Sequence, residues 1–189
     1  MHTTPDEKSA KDGSNAALIL VLGGARSGKS LVAEKIVEEF ASVDHLATYV
    51  ATVDTASGST VFDDDMLRRI MIHKQRRPPW RNSVELSMGA DLAEVLYDIK
   101  GPILVDSLGV WLAGRDHFAF DADSLTEALS KREAPTVVVS DEVGMSVHPY
   151  SEDGRKFRDA LGQLNCTVSR VATEVLLVVA ERVLRLEQL

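Results

Sequence analysis

The chain has 189 residues, with 21 Lys and Arg against 29 Asp and Glu, a formal net charge of −8 and one cysteine. That length suits one domain able to bury a sizeable core, and the acidic balance argues against nucleic acid or an anionic membrane surface as partner. The lone Cys166 leaves no internal disulfide and suits a reducing cytosol, and no apolar run has the length to span a bilayer.

The first fifteen residues, "MHTTPDEKSAKDGSN", carry three acidic and two basic side chains, the wrong balance for a signal peptide. Residues 1–15 read as a mobile polar tail on a cytoplasmic protein, and 16–189 as a single domain. A strand is predicted over Leu18–Leu22 and a helix over Gly28–Ala41, with Val32, Ile36 and Phe40 on one side. Between them "GGARSGKS", Gly23 to Ser30, fits Gly-x-x-x-x-Gly-Lys-Ser. Strand, glycine-rich turn and helix is the setting that makes this motif a phosphate loop. In it the backbone N–H groups along Gly23, Gly24, Ala25, Arg26, Ser27 and Gly28 can turn inward around a phosphate, and the helix start adds partial positive charge. Lys29 then reaches the β- and γ-phosphates, and the Ser30 hydroxyl binds Mg²⁺.

Further apolar, β-branched runs predict strands at Leu46–Ala51, Ile103–Asp106, Thr136–Ser140 and Val175–Ala180. Helices are predicted over Asp63–Lys74, Met88–Ile99, Ser124–Arg132 and Gly154–Thr173. Near-continuous apolar strands alternating with helices imply an α/β fold, a mostly parallel sheet with helices on both faces and ligands beyond the carboxyl ends of its strands. The last helix shows Phe157, Leu161, Leu164, Val168 and Val171 along one core-facing stripe, and Cys166 within it is expected to be a buried small side chain.

Asp106 ends the buried run "ILVDS", the place of a carboxylate beside Mg²⁺ in phosphate-loop proteins. Asp141 and Glu142 compete for that role at the end of "VVVSDE", and any of the three could instead cap a helix or form a turn. Asp106 is favoured, with a supporting role left open for Glu142. In "FDDDMLRRIMIHKQRRPPWR", Met66, Ile70 and His73 share a helical stripe. A histidine there is more often packed or capping than catalytic, but Lys74, Arg76, Arg77 and Arg81 follow at once on an otherwise acidic chain. A solvated basic loop is one reading; a second phosphate clamp beside an imidazole is the sharper one.

With "GGARSGKS", "YVAT", "DDDMLRRIMIHKQRRP", Trp80, Glu85, "ILVDSLGVWL" and "SDEVGMSVHP" in this order, the chain resembles the bifunctional adenosylcobinamide kinase / adenosylcobinamide-phosphate guanylyltransferase family of cobalamin biosynthesis from Leu18 to Val179. The resemblance implies a P-loop NTPase fold of RecA type, a homotrimer, and two activities. The first phosphorylates adenosylcobinamide with a nucleoside triphosphate, ATP or GTP; the second moves GMP from GTP onto adenosylcobinamide phosphate, giving adenosylcobinamide-GDP. It implies His73 as the guanylyl acceptor. It also implies nucleotide contacts at Gly23 to Ser30, at Thr52, Val53 and Asp54, at Lys74, Gln75, Arg76 and Arg77, and at Glu85 and Asp106. Ile72 stands where some relatives carry a second histidine, and Asp141 where relatives often have Asn. The inserted "DTASGST" and the short stretch from Ala113 to Pro135 are further departures. Rival readings are a GTP-driven switch, against which stands the lack of an Asn-Lys-x-Asp guanine motif, a plain small-molecule kinase, and a binding protein without turnover.

Overall fold

A computed structural model describes residues 16–42, 46–52 and 81–188. Seven strands form one sheet: β1 (Leu18–Gly23), β2 (Ala47–Ala51), β3 (Arg81–Glu85), β4 (Ile103–Asp106), β5 (Thr136–Asp141), β6 (Glu174–Val179) and β7 (Arg182–Leu186). Their spatial order is β3-β2-β4-β5-β1-β6-β7. All neighbours run parallel except β7, which returns antiparallel along β6. The described α-helices are α1 (Lys29–Phe40), α2 (Leu92–Asp98), α3 (Leu108–Ala113), α4 (Ala122–Ser130) and α5 (Glu152–Val171), with a 3₁₀ turn at Asp116–Phe118.

The strand alternation divides the core. Leu18, Leu20, Leu22, Val105 and Val138 face one side, packed with Leu92, Leu96, Leu112, Leu125, Leu161 and Leu164 from α2 to α5. Ile19, Val21, Tyr49, Leu104, Val137 and Val139 face the other, packed with Ala33 and Val37 of α1. Both faces are thus covered, as uninterrupted apolar strands require. Each fully buried side chain such as Leu20, Leu104 or Leu161 contributes roughly 1.5–3 kcal/mol by leaving water. No helix among the described residues is long and apolar enough to cross a membrane.

Several boundaries and three elements depart from the sequence reading. Helix α2 starts at Leu92 rather than Met88, because Gly89 takes φ +77° and Asp91 caps the helix through Ala93 N. Helix α4 runs from Ala122, capped by Asp121, and stops before Arg132. Helix α5 begins two residues early behind Ser151, and β6 stops at Val179 because Ala180 takes φ +50°. Strand β3, "RNSVE", has no apolar pattern to find: it is an edge strand with a solvated side. Strand β7 is exposed throughout and joined to β6 by a two-residue turn, Ala180–Glu181, that lacks the usual Asn or Gly. Helix α3 is only six residues long.

Cys166 is exposed, not buried. Leu161, Leu164 and Val168 turn into the core, and a residue two beyond Leu164 lies about 200° around the helix. The expected helix over 63–74 and the polar tail over 1–15 lie outside the described residues.

Candidate active site

Parallel register brings the carboxyl ends of six strands, β1 to β6, to one edge. Glu85 of β3 lies opposite Ala51 of β2, Ala51 opposite Asp106 of β4, and Asp141 of β5 opposite Gly23 of β1. Residues up to 118 positions apart in sequence, Gly23 and Asp141, are therefore neighbours across a single ladder step.

The phosphate loop leaves β1 at Gly23. A Cβ there would lie 2.5 Å from Ser27 Oγ and 2.8 Å from Val178 O, so only glycine lets the loop fold back so closely. Gly28 closes the loop with φ +95° and forms the N-cap of α1 without any side-chain capping bond. The other described α-helices all start on a capping side chain: Asp91, Ser107, Asp121 and Ser151. Lys29 N donates to Ser27 Oγ at 3.4 Å, and a helix start whose N-cap residue has no side chain leaves its first-turn N–H groups to be completed by an anion.

Lys29 Nζ donates to Gly24 O at 3.2 Å and is ion-paired to Asp141 Oδ1 at 2.7 Å. Asp106 Oδ2 accepts from Tyr49 Oη at 2.9 Å, which fixes one carboxylate oxygen at the strand end. Ser30, the second residue of α1, is half-buried. The Thr52 hydroxyl donates to Ser107 O at 2.8 Å and accepts from Ser107 N at 2.9 Å, so it clasps the ends of β2 and β4. Glu142 Oε1 accepts from Gly144 N at 2.7 Å, closing a turn of its own loop, while Glu142 N donates to Gly23 O at 3.0 Å.

Gly23 to Ser30, Thr52, Glu85 and Asp106 thus share one edge, Glu85 exposed at its far end. Val53, Asp54, His73, Lys74, Gln75, Arg76 and Arg77 lie outside the described residues. Three contributors escaped the sequence reading. Tyr49 holds Asp106, and nothing in its spacing announces this. Asn165 accepts from Ser140 Oγ at 2.6 Å and donates to Asp141 O at 3.1 Å; a polar residue within the apolar stripe of α5 was the available signal. Glu181, in the β6–β7 turn, donates its N–H to Ser27 O at 2.8 Å and lies against Gly28.

No group of three or more metal-ligating side chains occurs among the described residues. Ser30 in the first turn of α1 and Asp106 at the end of β4 offer a hydroxyl and a carboxylate, hard oxygen donors that fit Mg²⁺, which keeps several waters and takes its remaining ligands from substrate phosphates.

Residues 19–186 match the family described as cobinamide kinase / cobinamide phosphate guanyltransferase. The chain is 32% identical to the bifunctional adenosylcobalamin biosynthesis protein CobU of Escherichia coli, covering 86% of this chain and 96% of that protein. It is equally 32% identical to the bifunctional adenosylcobalamin biosynthesis protein CobP of Pseudomonas aeruginosa, covering 85% and 92%. Among solved structures, the flagellar accessory protein FlaH of Methanocaldococcus jannaschii superposes with a TM-score of 0.50 at 12% identity, over 88% of this chain and 74% of that one. That likeness concerns the fold, a RecA-like P-loop sheet.

Proposed function

The chain belongs to the cobinamide kinase / cobinamide phosphate guanyltransferase family, and from that premise we propose that it performs two successive transfers on one corrinoid acceptor. In the first, the aminopropanol hydroxyl of adenosylcobinamide takes the γ-phosphoryl group of ATP or GTP. In the second, GMP passes from GTP through His73 to the new phosphate, releasing pyrophosphate and giving adenosylcobinamide-GDP. Residues 16–189 act as one domain in this reading. The single cysteine supports a cytoplasmic place of action, and resemblance alone supports a homotrimer.

The observation that carries the first transfer is the phosphate loop itself, closed by Gly28 at the start of α1 with Lys29 beside it, on the same sheet edge where β4 ends in Asp106. Phosphoryl transfer asks the protein mainly for positioning and charge stabilisation. The loop N–H groups hold the phosphate chain, and Lys29 balances charge on the β- and γ-oxygens. Ser30 and Asp106 would hold Mg²⁺, which would supply charge neutralisation for the transferred phosphoryl group. Tyr49 restrains the Asp106 carboxylate through its hydroxyl hydrogen bond to Oδ2.

Support for the second transfer comes from the family pattern around His73 and from the point where its segment departs. Thr52, the last described residue before it, donates its N–H to Asp106 O at 3.2 Å, so the chain sets out from the site edge. A neutral imidazole is available near pH 7 and attacks the α-phosphorus as pyrophosphate leaves. Lys74, Arg76 and Arg77 supply positive charge beside it; Val53, Asp54, Gln75 and Glu85 complete the nucleotide contacts.

The test is covalent labelling. GTP labelled at the α-phosphate should leave acid-labile, base-stable label on the denatured protein, and γ-labelled GTP should leave none. His73→Ala should abolish label and guanylyltransfer while retaining most kinase turnover. A folded His73→Ala protein that still accepts GMP covalently would overturn the nucleophile.

A further inference from the structure

The cation on which the phosphate loop depends already has an anionic partner. Asp141 Oδ1 stands 2.7 Å from Lys29 Nζ, with the two side chains 32% and 13% exposed. The carboxylate's place is built from several directions. Asn165 Nδ2 donates to Asp141 O, and Asn165 is itself held by the Ser140 hydroxyl. Glu142 N ties the next residue to Gly23 O at the end of β1. On the far side, a Cβ at position 109 would lie 2.6 Å from Asp141 Oδ2, so Gly109 of α3 leaves the space this oxygen fills. Asp141 is therefore a fixed anion at the sheet edge.

A phosphate oxygen reaching Lys29 would make the same kind of charge-assisted bond that Asp141 makes now. One ammonium then faces two anions, and the carboxylate repels the incoming phosphate according to its net charge. A metal-free triphosphate carries about four negative charges, and its complex with a divalent cation about two fewer, so repulsion falls most heavily on the bare nucleotide. We propose that Asp141 is a specificity-determining residue of the phosphate loop: it occupies Lys29 as an internal stand-in for phosphate and biases the site toward metal-loaded triphosphate. The inference rests on the loop holding a triphosphate, as in the function proposed above, and is independent of the corrinoid acceptor and of His73.

The test compares the full-length wild-type chain with Asp141→Asn, nearly isosteric and uncharged, and with Asp141→Ala. Affinity for a β,γ-imido triphosphate is measured by titration calorimetry with excess Mg²⁺ and again with a chelator. Both variants should bind more tightly than wild type, by about threefold with Mg²⁺ and about tenfold without, as loss of a partly exposed pair and its repulsion allows. Circular dichroism and thermal melting establish that each variant compared is folded. Equal affinities for wild type and folded variants would overturn the proposal. So would weaker binding by the variants in Mg²⁺ alone, which would make Asp141 a support for the metal, or an equal gain in both arms, which would remove the selectivity. Failure of the wild type to bind the analogue at all would instead refute the phosphate-loop reading itself.

Discussion

Lys29 and Arg132 are cations at opposite ends of the same sheet, and they are held in opposite ways. At the amino edge, Arg132 donates to the carbonyls of Leu96 at 2.6 Å, Ile99 at 2.8 Å and Gly101 at 2.6 Å, and to Thr136 Oγ1 at 2.8 Å. Its described partners are neutral; burial pulls the guanidinium down to about 10, which leaves it charged at neutral pH. The arrangement ties the end of α2 to the starts of β4 and β5, and the cation suits the negative end of that helix. At the carboxyl edge, Lys29 has one carbonyl and one carboxylate. A planar guanidinium with several fixed acceptors locks backbone in place, whereas a lysine with a single anionic partner can exchange that partner for another. The same sheet is thus fastened at one end and left exchangeable at the other.

Three substitutions probe this contrast. Lys29→Ala should lower kinase turnover by about a thousandfold, the order seen when a preorganised charge is removed from a transition state, with unchanged circular dichroism. A folded variant turning over at the wild-type rate would break the assignment of the exchangeable end. Arg132→Met should leave three backbone carbonyls and a hydroxyl short of a donor and cost about 3 kcal/mol in urea unfolding. Its nucleotide affinity per folded molecule should match wild type. A variant that keeps its stability but loses nucleotide affinity would show that the two ends are not separate. The smallest effect belongs to Tyr49→Phe, which removes one hydrogen bond to Asp106 and leaves the buried ring. The Mg²⁺ concentration for half-maximal kinase activity should rise by about threefold, matching a bond of roughly 1 kcal/mol or less; an unchanged Mg²⁺ requirement would free Asp106 from that orientation.

Legibility in the sequence followed burial and local chemistry. Strands β1, β2, β4, β5 and β6 were readable because their two buried faces demand unbroken apolar runs such as "LILVL" and "TVVVS". Strands β3 and β7 were not, since "RNSVE" and "RVLRL" lie at the two sheet edges, where one neighbour and solvent set weaker demands on composition. The loop glycines and Lys29 were legible because phosphate binding needs those residues adjacent in the chain. Tyr49, Asn165 and Glu181 were hidden because each acts on a partner far away in sequence.

By itself, then, the sequence determined a buried parallel sheet, a phosphate loop on its first strand and two strands ending in carboxylates, all consequences of contiguous residues obeying short-range rules. Only the tertiary structure decided that β5, rather than β4, lies beside β1. That order sets Asp141 opposite Gly23 and on Lys29, while Asp106 falls one strand further away and bonds to Tyr49. The physical reason is that strand order is fixed by how helices pack over the whole sheet, a sum of contacts that no local pattern in the chain encodes.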